Sequence, residues 1–196
     1  MSHLILGGAR SGKSSLAERL ALSAYGQSSS AAAHSLFYLA TSTPFTPADI
    51  GEEESTQYEN MIERIKYHQT HRDERFQTIE EPLAISTVID TVKHGQVLLL
   101  DCLTLWLSNC LMQGYNIAND DVDLSFWLNQ KALFLNSLEN TSGTIFLVSN
   151  EVGQGVIPLG KLSRVFVDQA GWLHQDVANL VKNVSLVTAG IEQRLK

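Results

Sequence analysis

Leu4-Ile5-Leu6-Gly7-Gly8-Ala9-Arg10-Ser11-Gly12-Lys13-Ser14 decides how the rest of the chain is read. A short apolar run meets two glycines, and a helix-type stretch, Ser15 to Ala24, follows the serine. Residues 7–14 fit the pattern G-x-x-x-x-G-K-[ST], and the strand-to-helix setting is the one this P-loop pattern requires. Glycines let the backbone wrap phosphate oxygens, and a helix N-terminus aims N–H dipoles at them. Lys13 is expected to neutralise β/γ charge and Ser14 to ligate Mg²⁺. Arg10 either touches phosphate or is simply solvated.

Moving outward, short apolar runs recur at Leu36 to Ala40, Phe76 to Ile79, Val97 to Leu100, Thr144 to Val148 and Val184 to Val187. Helix-type spacing lies between them, as in Leu162, Phe166, Ala170, Leu173, Val177 and Leu180. Alternating strands and helices predict an α/β fold with a mainly parallel sheet covered by helices. Gly26 to Ser35 and Thr41 to Ser55 read as loops. No internal repeat is apparent, so solenoids and propellers are excluded. With 196 residues, 44% of them hydrophobic, one catalytic domain spanning 1–196 is expected.

The net charge of −7 argues against nucleic acid or an anionic membrane as partner, so any anion site must be built locally. No apolar run is long enough to span a bilayer and the first residues do not read as a secretory signal, which makes the cytoplasm the expected compartment. The two cysteines, Cys102 and Cys110, sit in an apolar stretch and are expected to be buried small hydrophobes.

A nucleotide site also needs a carboxylate at a buried strand's end, and Val97-Leu98-Leu99-Leu100-Asp101 supplies it. Asp101 is therefore the second Mg²⁺ ligand, unless it only caps the helix that follows. The chain has no N-K-x-D motif and no glycine after Asp101-Cys102-Leu103, which speaks against a regulatory GTPase. A small-molecule kinase and a non-catalytic nucleotide-binding module both stay open.

Several separated segments narrow the choice: the P-loop itself, Tyr38-Leu39-Ala40-Thr41, Arg64-Ile65-Lys66-Tyr67-His68 with Arg72, and Glu80-Glu81-Pro82-Leu83. Asp101-Cys102-Leu103-Thr104-Leu105-Trp106 and Asn150-Glu151-Val152-Gly153-Gln154-Gly155 are narrower still. In this order the chain resembles the bifunctional adenosylcobinamide kinase/adenosylcobinamide-phosphate guanylyltransferase family of cobalamin biosynthesis. It departs from the family pattern in a longer connection from Ser42 to Asn60, in Asp73, where proline is common, and in His174, where asparagine is common.

The resemblance implies a RecA-like, three-layer P-loop NTPase fold with a last strand of mixed direction, and a homotrimer. It implies two reactions: phosphorylation of adenosylcobinamide by ATP or GTP, then transfer of GMP from GTP to the corrinoid phosphate. It also implies a covalent guanylyl-histidine at the position of His68. A neutral imidazole can attack the α-phosphorus while pyrophosphate leaves. Spacing alone would make His68 a packing residue, since it continues the stripe Tyr58, Met61, Ile65, and His71 is its nearby competitor. Arg72 either clamps a phosphate oxygen or pairs with Glu63 or Asp73. Ala40, Thr41, Ser42 and Glu80 resemble nucleotide-contacting positions of the family, though each could simply be loop polarity. Asn150-Glu151, after an apolar strand, could sense the γ-phosphate or orient a substrate hydroxyl.

Overall fold

A computed structural model describes residues 1–27, 35–42 and 73–196. In chain order its elements are β1 (Ser2–Gly7), α1 (Lys13–Gln27), β2 (Leu36–Ala40), β3 (Gln77–Glu80), α2 (Ile85–Ile89), β4 (Val97–Asp101) and α3 (Leu103–Gln113). They continue with β5 (Tyr115–Asn116), β6 (Asp121–Val122), α4 (Ser125–Asn140), β7 (Thr144–Asn150), α5 (Lys161–Leu180), β8 (Asn183–Thr188) and β9 (Ile191–Arg194).

Among the described residues seven strands form one sheet in the order β3-β2-β4-β7-β1-β8-β9. All neighbours are parallel except β8 and β9, which pair antiparallel. The expected α/β sheet with a mixed edge is therefore present. A tight turn makes that edge: Ala189 and Gly190 both have positive φ, at 54° and 78°, which matches the right-handed twist a two-residue hairpin needs.

Side-chain alternation in the central strands builds a layer on each face. Leu4, Leu6, Leu98, Leu100, Ile145 and Leu147 point to one side, where Trp106, Trp127, Phe134, Leu173 and Val177 close the larger core. Ile5, Leu99, Phe146 and Val148 point to the other, against Leu16, Ala17 and Ala21 of α1. Each fully buried aliphatic side chain contributes ~1.5–3 kcal/mol. The three-ring cluster of Trp106 with Trp127 and Phe134, at centroid distances of 5.1 and 5.0 Å, adds edge-to-face attraction. Gln169 satisfies the one polar atom of Trp127, accepting its Nε1–H at 2.7 Å.

The stripe expected on α5 is borne out by Ala170, Leu173 and Val177, which are buried, and by Leu162 and Phe166, which pack at the edge of the core. Leu180 departs from it, being 40% exposed, because the helix ends there and the chain turns into β8. Both cysteines are buried. Burial pushes the Cys102 thiol up to about 11 and the Cys110 thiol to about 12, so both stay protonated and inert.

Candidate functional site

Parallel pairing brings the carboxyl ends of the strands to one edge of the sheet, the edge where ligands of open α/β sheets gather. Ala40 is in register with both Glu80 and Asp101, and Gly7 with Asn150 and Val187. The loop between β1 and α1 rises from that edge.

Its shape follows from its glycines. A Cβ on Gly7 would lie 2.5 Å from Ser11 Oγ and 2.6 Å from the Val187 carbonyl oxygen. Gly12 has φ +95° and abuts Gly190, while Arg10 takes a left-handed φ of 57°. Gly8 has no steric reason of this kind, since nothing lies within 4 Å of where its Cβ would be; Gly8, Ala9 and Arg10 face outward. The loop is braced from the far end of the chain, for Gly190 N–H donates to the Ser11 carbonyl at 2.8 Å.

Lys13 opens α1, is 8% exposed, and its ammonium donates to the Gly8 carbonyl at 3.2 Å. The charge is thus folded over the cradle. Ser14 follows, half-buried, and α1 carries no acidic residue in its first turn, which leaves the helix N-terminus to an anion. Ser11 Oγ is buried with no hydrogen-bond partner among the described residues, an orphan hydroxyl inside the loop between β1 and α1.

Asp101 is half-buried at the end of β4, and Tyr38 Oη donates to its Oδ2 at 3.1 Å. It does not cap α3: that position belongs to Cys102, which makes no side-chain cap bond. The charges of Lys13 and Asp101 both reach the Cys102 thiol, with opposite effect, so the P-loop lysine and the strand-end carboxylate share one neighbourhood. Among the described residues no three His, Cys, Asp or Glu side chains cluster as a metal cage. Ser14 and Asp101 present hard oxygen donors, the set that suits Mg²⁺ when phosphate oxygens and water complete the shell.

Thr41 is fully buried and its hydroxyl works inside the protein. It accepts the Cys102 N–H at 3.0 Å and donates to the Cys102 carbonyl at 2.8 Å. Asn109 adds a second clamp, donating to the carbonyls of Thr41 (2.7 Å) and Pro82 (3.1 Å). Ala40 and Ser42 are half-buried beside it, and Glu80 is exposed. Glu80 lies on the edge strand, four strand spacings from β1, or ~19 Å. His68, its competitor His71, Arg72 and most of the Ser42 to Asn60 connection lie outside the described residues.

Sequence reasoning assigned no role to Tyr38, Thr104, Asn109 or Ser149. Asn150 Nδ2 donates to Thr104 Oγ1 at 2.8 Å, and Thr104 Oγ1 is 3.2 Å from Cys102 Sγ. Ser149 Oγ is 2.7 Å from Nε2 of buried His174. Tyr38 and Ser149 lie on strands and Thr104 and Asn109 on α3, and which of them meet depends on how these elements pack, which the apolar runs did not give.

Comparison with known proteins agrees with this geometry. The sequence profile of cobinamide kinase / cobinamide phosphate guanyltransferase matches residues 3–195. The "Bifunctional adenosylcobalamin biosynthesis protein CobP" of Pseudomonas aeruginosa is 43% identical over 197 residues, covering 100% of this chain and 98% of that protein. The "Bifunctional adenosylcobalamin biosynthesis protein CobU" of Escherichia coli is 31% identical over 203 residues, and that of Salmonella typhimurium 30%, each with 100% of both chains covered. A profile matching this chain over nearly its whole length, together with these relatives, makes it a member of the cobinamide kinase / cobinamide phosphate guanyltransferase family, whose enzymes are bifunctional.

Proposed function

We propose that this enzyme acts on adenosylcobinamide through one nucleotide site, with the residues in the following roles. In the first reaction ATP or GTP lies with its phosphates in the loop of residues 7–14, and the γ-phosphoryl passes to the aminopropanol hydroxyl of the corrinoid. In the second, His68 attacks the α-phosphorus of GTP, pyrophosphate leaves, and GMP is handed on to the corrinoid phosphate. The product is adenosylcobinamide-GDP.

The observation that carries this reading is the cradle: buried Lys13 folded onto the Gly8 carbonyl beside the orphan hydroxyl of Ser11. Its N–H groups and ammonium stabilise charge on the oxygens of the transferred group without reorganising. Ser14 and Asp101 would hold a magnesium ion, which would supply further neutralisation at the moving and leaving oxygens. Ala40, Ser42 and Glu80 suit the nucleoside end of a nucleotide whose phosphates lie over β1, with Thr41 holding that ledge in place. Arg72 clamps a phosphate oxygen from the segment that carries His68.

The working form is a homotrimer in the cytoplasm, as the family resemblance implies; no described helix is long and apolar enough to cross a membrane. Incubation with α-labelled GTP tests the covalent step. The expected result is an acid-labile, base-stable label on the protein that disappears in His68→Ala. A label that persists in that variant removes the assignment, and the absence of any label with kinase activity intact favours a kinase without a nucleotidyl step.

A further inference from the structure

The cradle needs a base for its first reaction, and the strand-end carboxylates can be ranked by where the sheet places them. Glu80 is four strand spacings from β1, Asp101 two, and Glu151 follows β7, the immediate neighbour of β1. At ~4.8 Å per spacing these are ~19, ~10 and ~5 Å. Glu192 lies two spacings away on the other side and is turned onto Ser185, whose hydroxyl it accepts at 2.6 Å. Glu151 is also tied to the cradle directly: its N–H donates to the carbonyl of Gly7 at 3.0 Å.

Its carboxylate is held and still reachable. Oε1 accepts the Gly153 N–H at 2.7 Å, Oε2 lies 3.9 Å from Nδ1 of His174, and the side chain keeps 23% of its surface exposed. His174 sits on α5 between Leu173 and the next helical turn at Val177, with Nε2 2.7 Å from Ser149 Oγ. An imidazole buried against this core is less favourable than an aliphatic side chain unless it has polar work. Asn150, the other polar residue at this strand end, is committed to Thr104.

We infer that Glu151 is the proton acceptor for the corrinoid alcohol in the phosphorylation, and that His174, anchored by Ser149, is the positioning residue that orients it. The inference rests on the two-reaction reading above. The alcohol oxygen bonds to the γ-phosphorus, and the bond from that phosphorus to the β,γ-bridging oxygen breaks. The nucleoside diphosphate leaves with the electron pair, and the hydroxyl proton passes to Glu151. The acceptor in the second reaction is a phosphate monoester, largely ionised near neutrality, with no such proton to give up. Glu151 therefore serves one activity and not the other.

The two activities are assayed separately, with adenosylcobinamide and with its phosphate, in wild-type protein and in Glu151→Gln, Glu151→Asp and His174→Leu. Glu151→Gln should lower the kinase kcat by about a hundredfold while guanylyl transfer falls far less, and Glu151→Asp should fall between it and wild type. In His174→Leu the kinase kcat should fall several-fold with the KM for adenosylcobinamide nearly unchanged, since the ring beside Oε2 no longer orients the carboxylate. Among the described residues Glu151 is the charged group whose field acts on that ring. Kinase activity kept in folded Glu151→Gln, or both activities lost by one common factor, overturns the role of Glu151. A kinase kcat in His174→Leu equal to wild type while the melting temperature drops overturns the role of His174. Failure of the two-reaction reading shows in the wild-type protein itself, as absent turnover of one corrinoid; failure of this inference shows only in the variants.

Discussion

Tyr38 on β2 and Asp101 at the tip of β4 are joined by a hydrogen bond of 3.1 Å from the phenol to Oδ2. The tyrosine is 4% exposed and its ring is braced edge-on by Phe76 at a centroid distance of 5.9 Å. One carboxylate oxygen is thereby fixed and the direction of the other is set. Tyr38→Phe keeps the packing and removes only the donor. The magnesium concentration needed for half-maximal activity should rise several-fold, a change of ~1 kcal/mol, with kcat at saturating metal nearly unchanged. A magnesium titration of guanylyl transfer measures it.

The glycines of the loop separate by what a methyl group would meet. Gly7→Ala must displace Ser11 or the β8 backbone, and Gly12→Ala places a side chain at φ +95° against Gly190. Both should lose ~1–3 kcal/mol of stability together with nucleotide affinity. Gly8→Ala meets open space and should melt like the wild type, so any loss in GTP affinity is a loss at the ligand. Thermal melts with and without GTP give both numbers.

Thr41→Val deletes an acceptor and a donor at a fully buried position while preserving shape. The Cys102 N–H is then left without its partner, at ~1–3 kcal/mol, while the carbonyl keeps the Trp106 N–H at 3.2 Å. Urea unfolding should show this loss, and Thr41→Ser should recover most of it.

Burial lowers the pKa of His174 from 6.5, against a smaller opposing effect of Glu151, and burial likewise lowers that of His3. Below about pH 6.5 the unfolded chain takes up protons that the folded chain refuses, so stability falls as pH falls through that region and recovers as it rises. His174→Asn should flatten the decline below about pH 6.5, leaving the share that belongs to His3. Melting temperature against pH for both proteins decides it.

The strand–loop–helix frame of the proposed site was legible because its parts are local. Residues 7–14 declare a phosphate loop through spacing alone, and the four apolar residues before Asp101 declare a buried strand ending in a carboxylate. Whether Asp101 capped a helix was open from spacing, and the first turn of α3 answered it by starting one residue later. The links from Tyr38 to Asp101, Thr41 to Cys102 and Ser149 to His174 were not legible, since they join residues 63, 61 and 25 positions apart. Register sets such pairs, and register is a property of the assembled sheet. The small β5–β6 hairpin was also missed, because two-residue strands are too short to show alternation.

Strand β1 lies between β7 and β8, and the loop that leaves it leans on Gly190. Strand β1 thus finds its sheet neighbours, and the prop for the loop that leaves it, only in segments far later in the chain. The apolar stretch Leu4-Ile5-Leu6 has no partner strand until β7 exists, and the loop after it has no prop until Gly190 follows, so these long-range pairings make β1 slow to settle in folding.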